Sequence, residues 1–365
     1  MKIFVFGSSI VSSYWNGAAT YYRGIYKYLA RRGHTVTFAE PDAYARQQHL
    51  DAGDFSYVRS IVYEPTVGLD SMLSLAREAD VVIKHSGIGV DDDILELRVL
   101  ECQPGSTVCF WDVDAPATIT RMNENPGDQF CQAVPLYDAI LTYGGGPFVR
   151  DHYLRYGARD YFSIYNGLDP ETHHPVAADA SLACDVAFLG NRLPDREARV
   201  EELFFSAARL APQSSFLLGG EGWSDKPLPS NVRWIGHVST AQHNRVNCSA
   251  RFVMNINRLS MATFGFSPPT RVFEVAGTGT PLLCDDWPGI DDCFQPGREI
   301  LIVRTAVDVA NAVQSLDREE SLRIGTNFLT RALQDHTYER RAAQVEGALE
   351  KLRASRESRV LGRFA

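Results

Sequence analysis

Short apolar runs alternate with longer stretches of helical spacing along the whole chain. Residues 2–6 (KIFVF) form the first run, and the spacing over 20–32 predicts a helix that Gly33 closes, as a helix C-terminal glycine does. Further strands are expected at 35–39, 80–84 (DVVIK), 107–111 (TVCFW) and 138–142 (DAILT). Unbroken apolar strands separated by helices imply a parallel sheet covered on both faces. The rhythm then restarts, with a strand at 185–189, a helix over 196–211, and strands near 215–218, 232–235, 251–256, 281–284 and 299–303.

Between the two series lies YNGLDPETHHPV (165–176), dense in turn formers. The pattern therefore predicts one α/β domain over 1–165, a second over 166–337, and a terminal segment, 338–365, that reads as a basic amphipathic helix. A chain of 365 residues exceeds the usual size of a single core, which agrees with two domains. Ligands of open parallel sheets bind beyond the carboxyl ends of the strands, so the loops after strands are where chemistry is sought.

Composition narrows the partners. With 36 basic and 45 acidic residues the net charge is −9, which argues against broad nucleic-acid binding but leaves room for a local basic cleft. The seven cysteines show neither disulfide nor metal-site spacing, so reduced thiols in a cytoplasmic protein are expected. The start, MKIFVFGSS, reads as a buried strand and not as a signal peptide. No window approaches the ~20 apolar residues that span a bilayer, so no membrane span is expected.

Candidate chemistry clusters after strands. The loop GSSIVSSYWNGAAT (7–20) carries Ser8, Ser9, Asn16 and Gly17, small and polar groups suited to close backbone approach to a ligand. It lacks the Gly-x-Gly-x-x-Gly dinucleotide fingerprint. Asp112 and Asp114 follow a strand and could line a cleft, orient a second substrate or chelate a cation. His85, just past DVVIK, could hydrogen-bond a hydroxyl or move a proton. His173 and His174 read as linker chemistry.

In the second half, Gly190, Asn191 and Arg192 follow a strand and precede a helix bearing Arg196, a plausible diphosphate seat. Gly236, His237 and Val238 would let a flat base lie against the backbone, and Asn255, Asn257 and Arg258 close another strand at the same edge. Ser267 and Pro268 are expected to start a short helix, with Ser267 as its cap. That helix carries Arg271 and Glu274 three residues apart, so a cation and a carboxylate share one face. A carboxylate accepting from two vicinal hydroxyls makes a ribose clamp.

At these residues the chain resembles the group 1 glycosyltransferases of GT-B fold, closest to the branch related to the spore-maturation protein CgeB. The similar segments are DVAFLGNRLPDR (185–196), GHVS (236–239), the run from NINRLS to DDWPGID (255–291) and FQPGREILIV (294–303). The resemblance implies two Rossmann-like domains with parallel sheets facing a central cleft, and a C-terminal helix returning to the first domain. It also implies metal-independent transfer of a sugar from a nucleoside diphosphate sugar, linked to uridine, guanosine or thymidine, with no other cofactor. Glu274 would hold the ribose, Arg271 or Arg192 the diphosphate, and Gly236–Val238 the base. The region 7–17 would serve the sugar or acceptor, with Asp114, His85 or Asp112 as candidate catalytic groups.

Retaining members carry two glutamates separated by seven residues, but the first position here is Phe266. The donor sugar and the stereochemical outcome are therefore unassigned. The acceptor is equally open among protein, glycan, small molecule and modified DNA, as is the choice of monomer or homodimer. A nucleotide-sugar epimerase on the same fold, or a non-catalytic nucleotide-sugar-binding homologue, is the alternative reading.

Overall fold

The structure is a computed structural model that describes residues 1–361. The chain divides into two compact units, one made of Met1–Asn166 together with the helix Tyr338–Leu361, the other of Gly167–Thr337.

The first unit is built on seven parallel strands: β1 Lys2–Phe6, β2 Thr35–Pro41, β3 Arg59–Tyr63, β4 Val81–His85, β5 Thr107–Asp112, β6 Ala139–Thr142 and β7 Tyr161–Ser163. Their order is β3-β2-β1-β4-β5-β6-β7. The four central strands β1, β4, β5 and β6 are apolar on both faces because helices cover both. β3 and β7 have no counterpart in the apolar pattern. They are the edges of the sheet, where partly exposed polar residues replace the apolar run.

Tyr338–Leu361 lies against the first helix, Ala19–Arg31. A Cβ on Gly24 would fall 2.4 Å from the Tyr338 ring, so only glycine lets the two helices meet there. Glu346 accepts from Arg32 and from His34 (2.8 Å), and Lys351 reaches Asp160 at 3.0 Å. Val345, Leu349 and Leu352 join the core formed by β1, β4 and the first helix.

The second unit has six parallel strands: β8 Cys184–Leu189, β9 Phe216–Gly219, β10 Val232–Trp234, β11 Ala250–Asn255, β12 Leu282–Asp285 and β13 Leu301–Val303. They run in the order β10-β9-β8-β11-β12-β13. The helix expected over 196–211 is in three pieces, Pro194–Val200, a wider π turn at Glu201–Phe205, and Ser206–Leu210. The helix Thr270–Thr278 is buried from Val272 to Thr278 and ends at Gly279, whose φ of 70° suits glycine. Its N-cap is Pro269, and Ser267 makes no cap hydrogen bond, contrary to the sequence expectation. The segment 167–175 runs over this helix, and a Cβ on Gly277 would stand 2.6 Å from the His173 carbonyl oxygen.

Candidate nucleotide-sugar site

The carboxyl ends of β8, β11 and β12 gather the charged residues of the second unit. After β8 the chain turns through Gly190, whose N–H bonds the Gly219 carbonyl at 2.9 Å. Gly220 sits beside it with φ 126°, and a Cβ there would lie 2.3 Å from the Gly190 carbonyl oxygen. Two glycines thus bring two backbones into contact that side chains would hold apart. Asn191 accepts from the Glu221 N–H at 2.9 Å and fixes the next turn.

Two arginines follow, and they differ. Arg192 is paired through Nη2 with Glu197 at 2.8 Å and through Nη1 with Asp225 at 2.9 Å. A diphosphate at Arg192 would therefore compete with two carboxylates already in place. Arg196 is the opposite case. Among the described residues it has no carboxylate partner, and its Nε is buried with no hydrogen-bond partner. Its Nη1 lies 3.0 Å from where a Cβ on Gly190 would be, so the glycine opens the space the guanidinium uses. Burial lowers its pKa, and the Arg258 and Arg271 cations lower it further, partly offset by the Asp195 and Asp285 carboxylates. Clustered positive charge with an unpaired guanidinium at its centre is disfavoured unless an anion completes it.

Arg258 is held by Asp195 at 2.8 Å. Asn255 and Asn257 are buried, and both are tied to Asp285: Asn255 Nδ2 donates at 3.0 Å and the Asn257 N–H at 2.9 Å. Asp285 also accepts from Arg199 at 2.6 Å. Burial raises the Asp285 pKa despite these donors. Gly236 has φ 73° and accepts the Gly220 N–H at 2.7 Å, His237 is exposed, and Val238 packs into the core. Pro268 is buried at the turn before Thr270.

Arg271 and Glu274 do meet on one helical face, with Nη1 3.1 Å from Oε2. Two histidines join them. His243, on the helix Thr240–Ser249, has Nδ1 3.6 Å from Glu274 Oε2 and 3.4 Å from Arg271 Nη1. His173 stacks on His243 with centroids 6.1 Å apart, and its Nε2 is buried without a partner. Burial pushes the Glu274 pKa up, but Arg271 first and then the histidines pull it well below the usual carboxylate range. His173 is held neutral mainly by burial. Each of His173, His243 and Glu274 offers a donor atom within 4.8 Å of the others, a spacing open to a metal. Arg271 already supplies the cation that this carboxylate requires.

Neither histidine was expected here. His173 reads in sequence as one of two linker histidines, and its contact with Glu274 depends on how the linker folds over Thr270–Thr278. His243 sits four residues after Ser239 in a capping box, Ser239 with Gln242, that fixes the start of its helix. That box is the one local sign that the position is well defined.

In the first unit the expected catalytic groups separate. His85 is fully buried, with Nε2 2.5 Å from the Tyr26 hydroxyl and its ring among Tyr22 and Trp111. Burial, helped by Lys84, lowers its pKa to about 3. Asp112 is also fully buried and accepts from Ser86 Oγ at 2.8 Å, Thr118 Oγ1 at 3.0 Å and the Tyr153 hydroxyl at 2.6 Å. The two are core groups, which corrects the acid–base roles expected of them: no substrate atom reaches a side chain without exposure. Asp114 alone of the three is exposed. Ser8 Oγ donates to Asn16 at 2.8 Å, Ser9 Oγ accepts the Ser12 N–H at 3.1 Å, and Asn16 Nδ2 donates to the Ser9 carbonyl at 2.7 Å. The polar groups of this loop shape the loop itself, while Gly17 is exposed with open space around it.

Two parallel α/β units of this order define the GT-B fold, and solved structures of that fold superpose on almost the whole chain. The Anabaena protein Alr3699/HepE, solved with UDP-glucose, has a TM-score of 0.65 at 15% identity and covers 96% of this chain and 100% of its own. Sucrose-phosphate synthase of Thermosynechococcus elongatus gives 0.68 at 15%, covering 97% and 100%. The trehalose 6-phosphate synthase of Burkholderia multivorans gives 0.64 at 10%, covering 97% and 99%. Residues 196–347 match the family model described as glycosyl transferase-like. No curated protein matches in sequence. Among the described residues no helix is long and apolar enough to cross a membrane.

Proposed function

We propose that this chain is a metal-independent, cytoplasmic glycosyltransferase of the CgeB-like branch, transferring a sugar from a nucleoside diphosphate sugar to an acceptor. The observation that carries the reading is the open cation at Arg196, beside Arg271, which itself stands one helix turn before the paired carboxylate Glu274. A dianionic diphosphate fills the first need, and a ribose diol suits the second. The neighbouring structures solved with UDP or UDP-glucose favour a uridine-linked donor.

In the reaction the bond from the anomeric carbon to the diphosphate oxygen breaks, and negative charge collects on the leaving diphosphate. Arg196 and Arg271 would stabilise that charge, the role a divalent cation plays elsewhere. Glu274, kept ionised by Arg271 and His243, accepts from the ribose hydroxyls. Asp114, the exposed member of the three acidic and basic candidates, is the group we assign to the acceptor hydroxyl.

A thermal-shift screen of UDP-, GDP-, ADP- and dTDP-sugars, run with and without EDTA, tests the reading. At least one nucleotide sugar should raise the melting temperature in a concentration-dependent way, and EDTA should not alter the shift. Absence of any shift across the panel would overturn the assignment.

A further inference from the structure

We infer that the first unit binds an uncharged carbohydrate acceptor, stacked on an aromatic platform formed by Tyr14 and Trp15. This names the acceptor class for the transferase reading above and rests on it. Trp15 is 80% exposed, Tyr44 50% and Tyr14 40%. Single exposed apolar residues are ordinary on protein surfaces. These three are different because the fold holds them in place.

Arg46 is the fastening. Only 4% of it is exposed, and it donates from Nη1 to the Ser8 carbonyl at 3.0 Å and from Nη2 to the Trp15 carbonyl at 3.4 Å. A third bond reaches the Ile88 carbonyl at 3.4 Å, and the guanidinium lies 4.9 Å over the Tyr44 ring. The Tyr44 hydroxyl in turn donates to the Gly89 carbonyl at 2.8 Å. One buried arginine thereby ties the loops that follow β1, β2 and β4, at the strand ends where parallel sheets bind ligands.

The backbone carries strain at the same place. Trp15, Tyr44 and Ala45 have φ of 49°, 58° and 54°, in the left-handed region that bulky residues avoid. Strain of this kind persists where the surroundings impose it, and it gathers at ligand sites. The Tyr14 ring stacks on His49 at 3.9 Å and meets the Trp15 ring at 6.1 Å and 79°. The result is two aromatic faces set nearly at right angles.

Sugar chemistry fits this shape. A pyranose offers a flat face of C–H bonds to an aromatic ring and hydroxyl groups around its rim. Ser13 and Arg23 hold the Asp51 carboxylate beside the platform, at 2.9 and 2.7 Å, where it can accept from hydroxyls. A nucleobase could stack equally well, but its phosphates need free cations. Arg23 is committed to Asp51 and the Ile10 carbonyl, Arg46 to three carbonyls, and the chain has a net charge of −9. An uncharged glycan is the occupant that this surface favours.

The test uses the full-length protein. Trp111, Trp223 and Trp287 are buried, so acrylamide quenches mainly Trp15, with Trp234 half-buried. A panel of gluco-, galacto-, manno- and xylo-oligosaccharides, two to six units long, is titrated while that quenching is followed. At least one should protect the fluorescence. Trp15→Gly, which tolerates the left-handed backbone, should weaken glycan binding at least tenfold by calorimetry, the reporting indole being gone, while leaving the donor-induced thermal shift unchanged. Three results would overturn the inference: no panel member binds, Trp15→Gly binds as tightly as the parent, or short duplex DNA protects Trp15 where glycans do not. The donor shift is read separately, so loss of the acceptor inference leaves the donor site standing, and the converse.

Discussion

The two units follow one plan yet treat charge at their strand ends in opposite ways. In the first, the polar groups that end β4 and β5 are closed on themselves: His85 on Tyr26, and Asp112 on Ser86, Thr118 and Tyr153. In the second, Asp285 is similarly saturated, but Arg196 is left open beside two further arginines. A saturated group stabilises its fold and has nothing left to offer a ligand. An open one costs stability and is a candidate for binding. The contrast separates residues that look alike in sequence, since all of them are polar residues after apolar strands.

The largest effect should come from the saturated side. Asp112→Ala leaves the donors of Ser86, Thr118 and Tyr153 without their acceptor in a dry core, so stability should fall by about 3–5 kcal/mol in urea denaturation. Turnover per folded molecule should persist. If the variant is stable but inactive, Asp112 belongs to the chemistry and the contrast fails.

Arg196→Met reverses the pattern. It should weaken nucleoside diphosphate binding about 30-fold, roughly 2 kcal/mol by calorimetry, while the ligand-free protein melts at a higher temperature because a half-buried cation with an unpartnered Nε is gone. Arg192→Met should do neither of these things and should lower stability slightly through its exposed pairs. Equal effects of the two substitutions on binding would show that the open and paired arginines are not distinct.

Glu274→Gln keeps the shape of the side chain but removes the charge that Arg271 and His243 surround. Affinity for a nucleotide sugar should drop at least tenfold, about 1.4 kcal/mol, and affinity for inorganic diphosphate should change little. A loss common to both ligands would place Glu274 with the diphosphate instead of the ribose.

Much of this was legible in the sequence. The central strands announce themselves as apolar runs because they are buried on both faces. β3 and β7 escape because edge strands are short or partly exposed along their length and lack a continuous apolar run. Arg271 and Glu274 are visible because three-residue spacing on a helix fixes their separation. Their partners His173 and His243 lie 101 and 31 residues before Glu274 in the chain (274 − 173 and 274 − 243), and only the tertiary fold brings them close. The fate of His85 and Asp112 was hidden for a related reason. A polar residue at a strand's end can face the ligand edge or turn into the core, and the choice rests on distant partners such as Tyr26 and Tyr153.

The smallest prediction concerns acid. His85 has a folded pKa of about 3 against an ordinary value of 6.5, because burial disfavours its charged form. The unfolded chain therefore binds more protons than the folded one between those values, and stability falls as the pH drops through that window. The loss from pH 6.5 to 5.5 should be about 1 kcal/mol from this residue. The buried His152 and His173 have lowered pKa values and act in the same direction. Glu274 shares the sign, but its window opens only below the ordinary carboxylate range, where it too loses stabilisation as protons bind. His85 should thus cost stability at a higher pH than Glu274 does. Denaturation at pH 6.5 and 5.5 with His85→Phe checks this: the substitution should flatten the fall between those pH values, whereas Glu274→Gln should leave it unchanged. An undiminished fall in His85→Phe would mean that the imidazole is not held neutral by the core, and the division between closed and open strand ends would lose one of its clearest members.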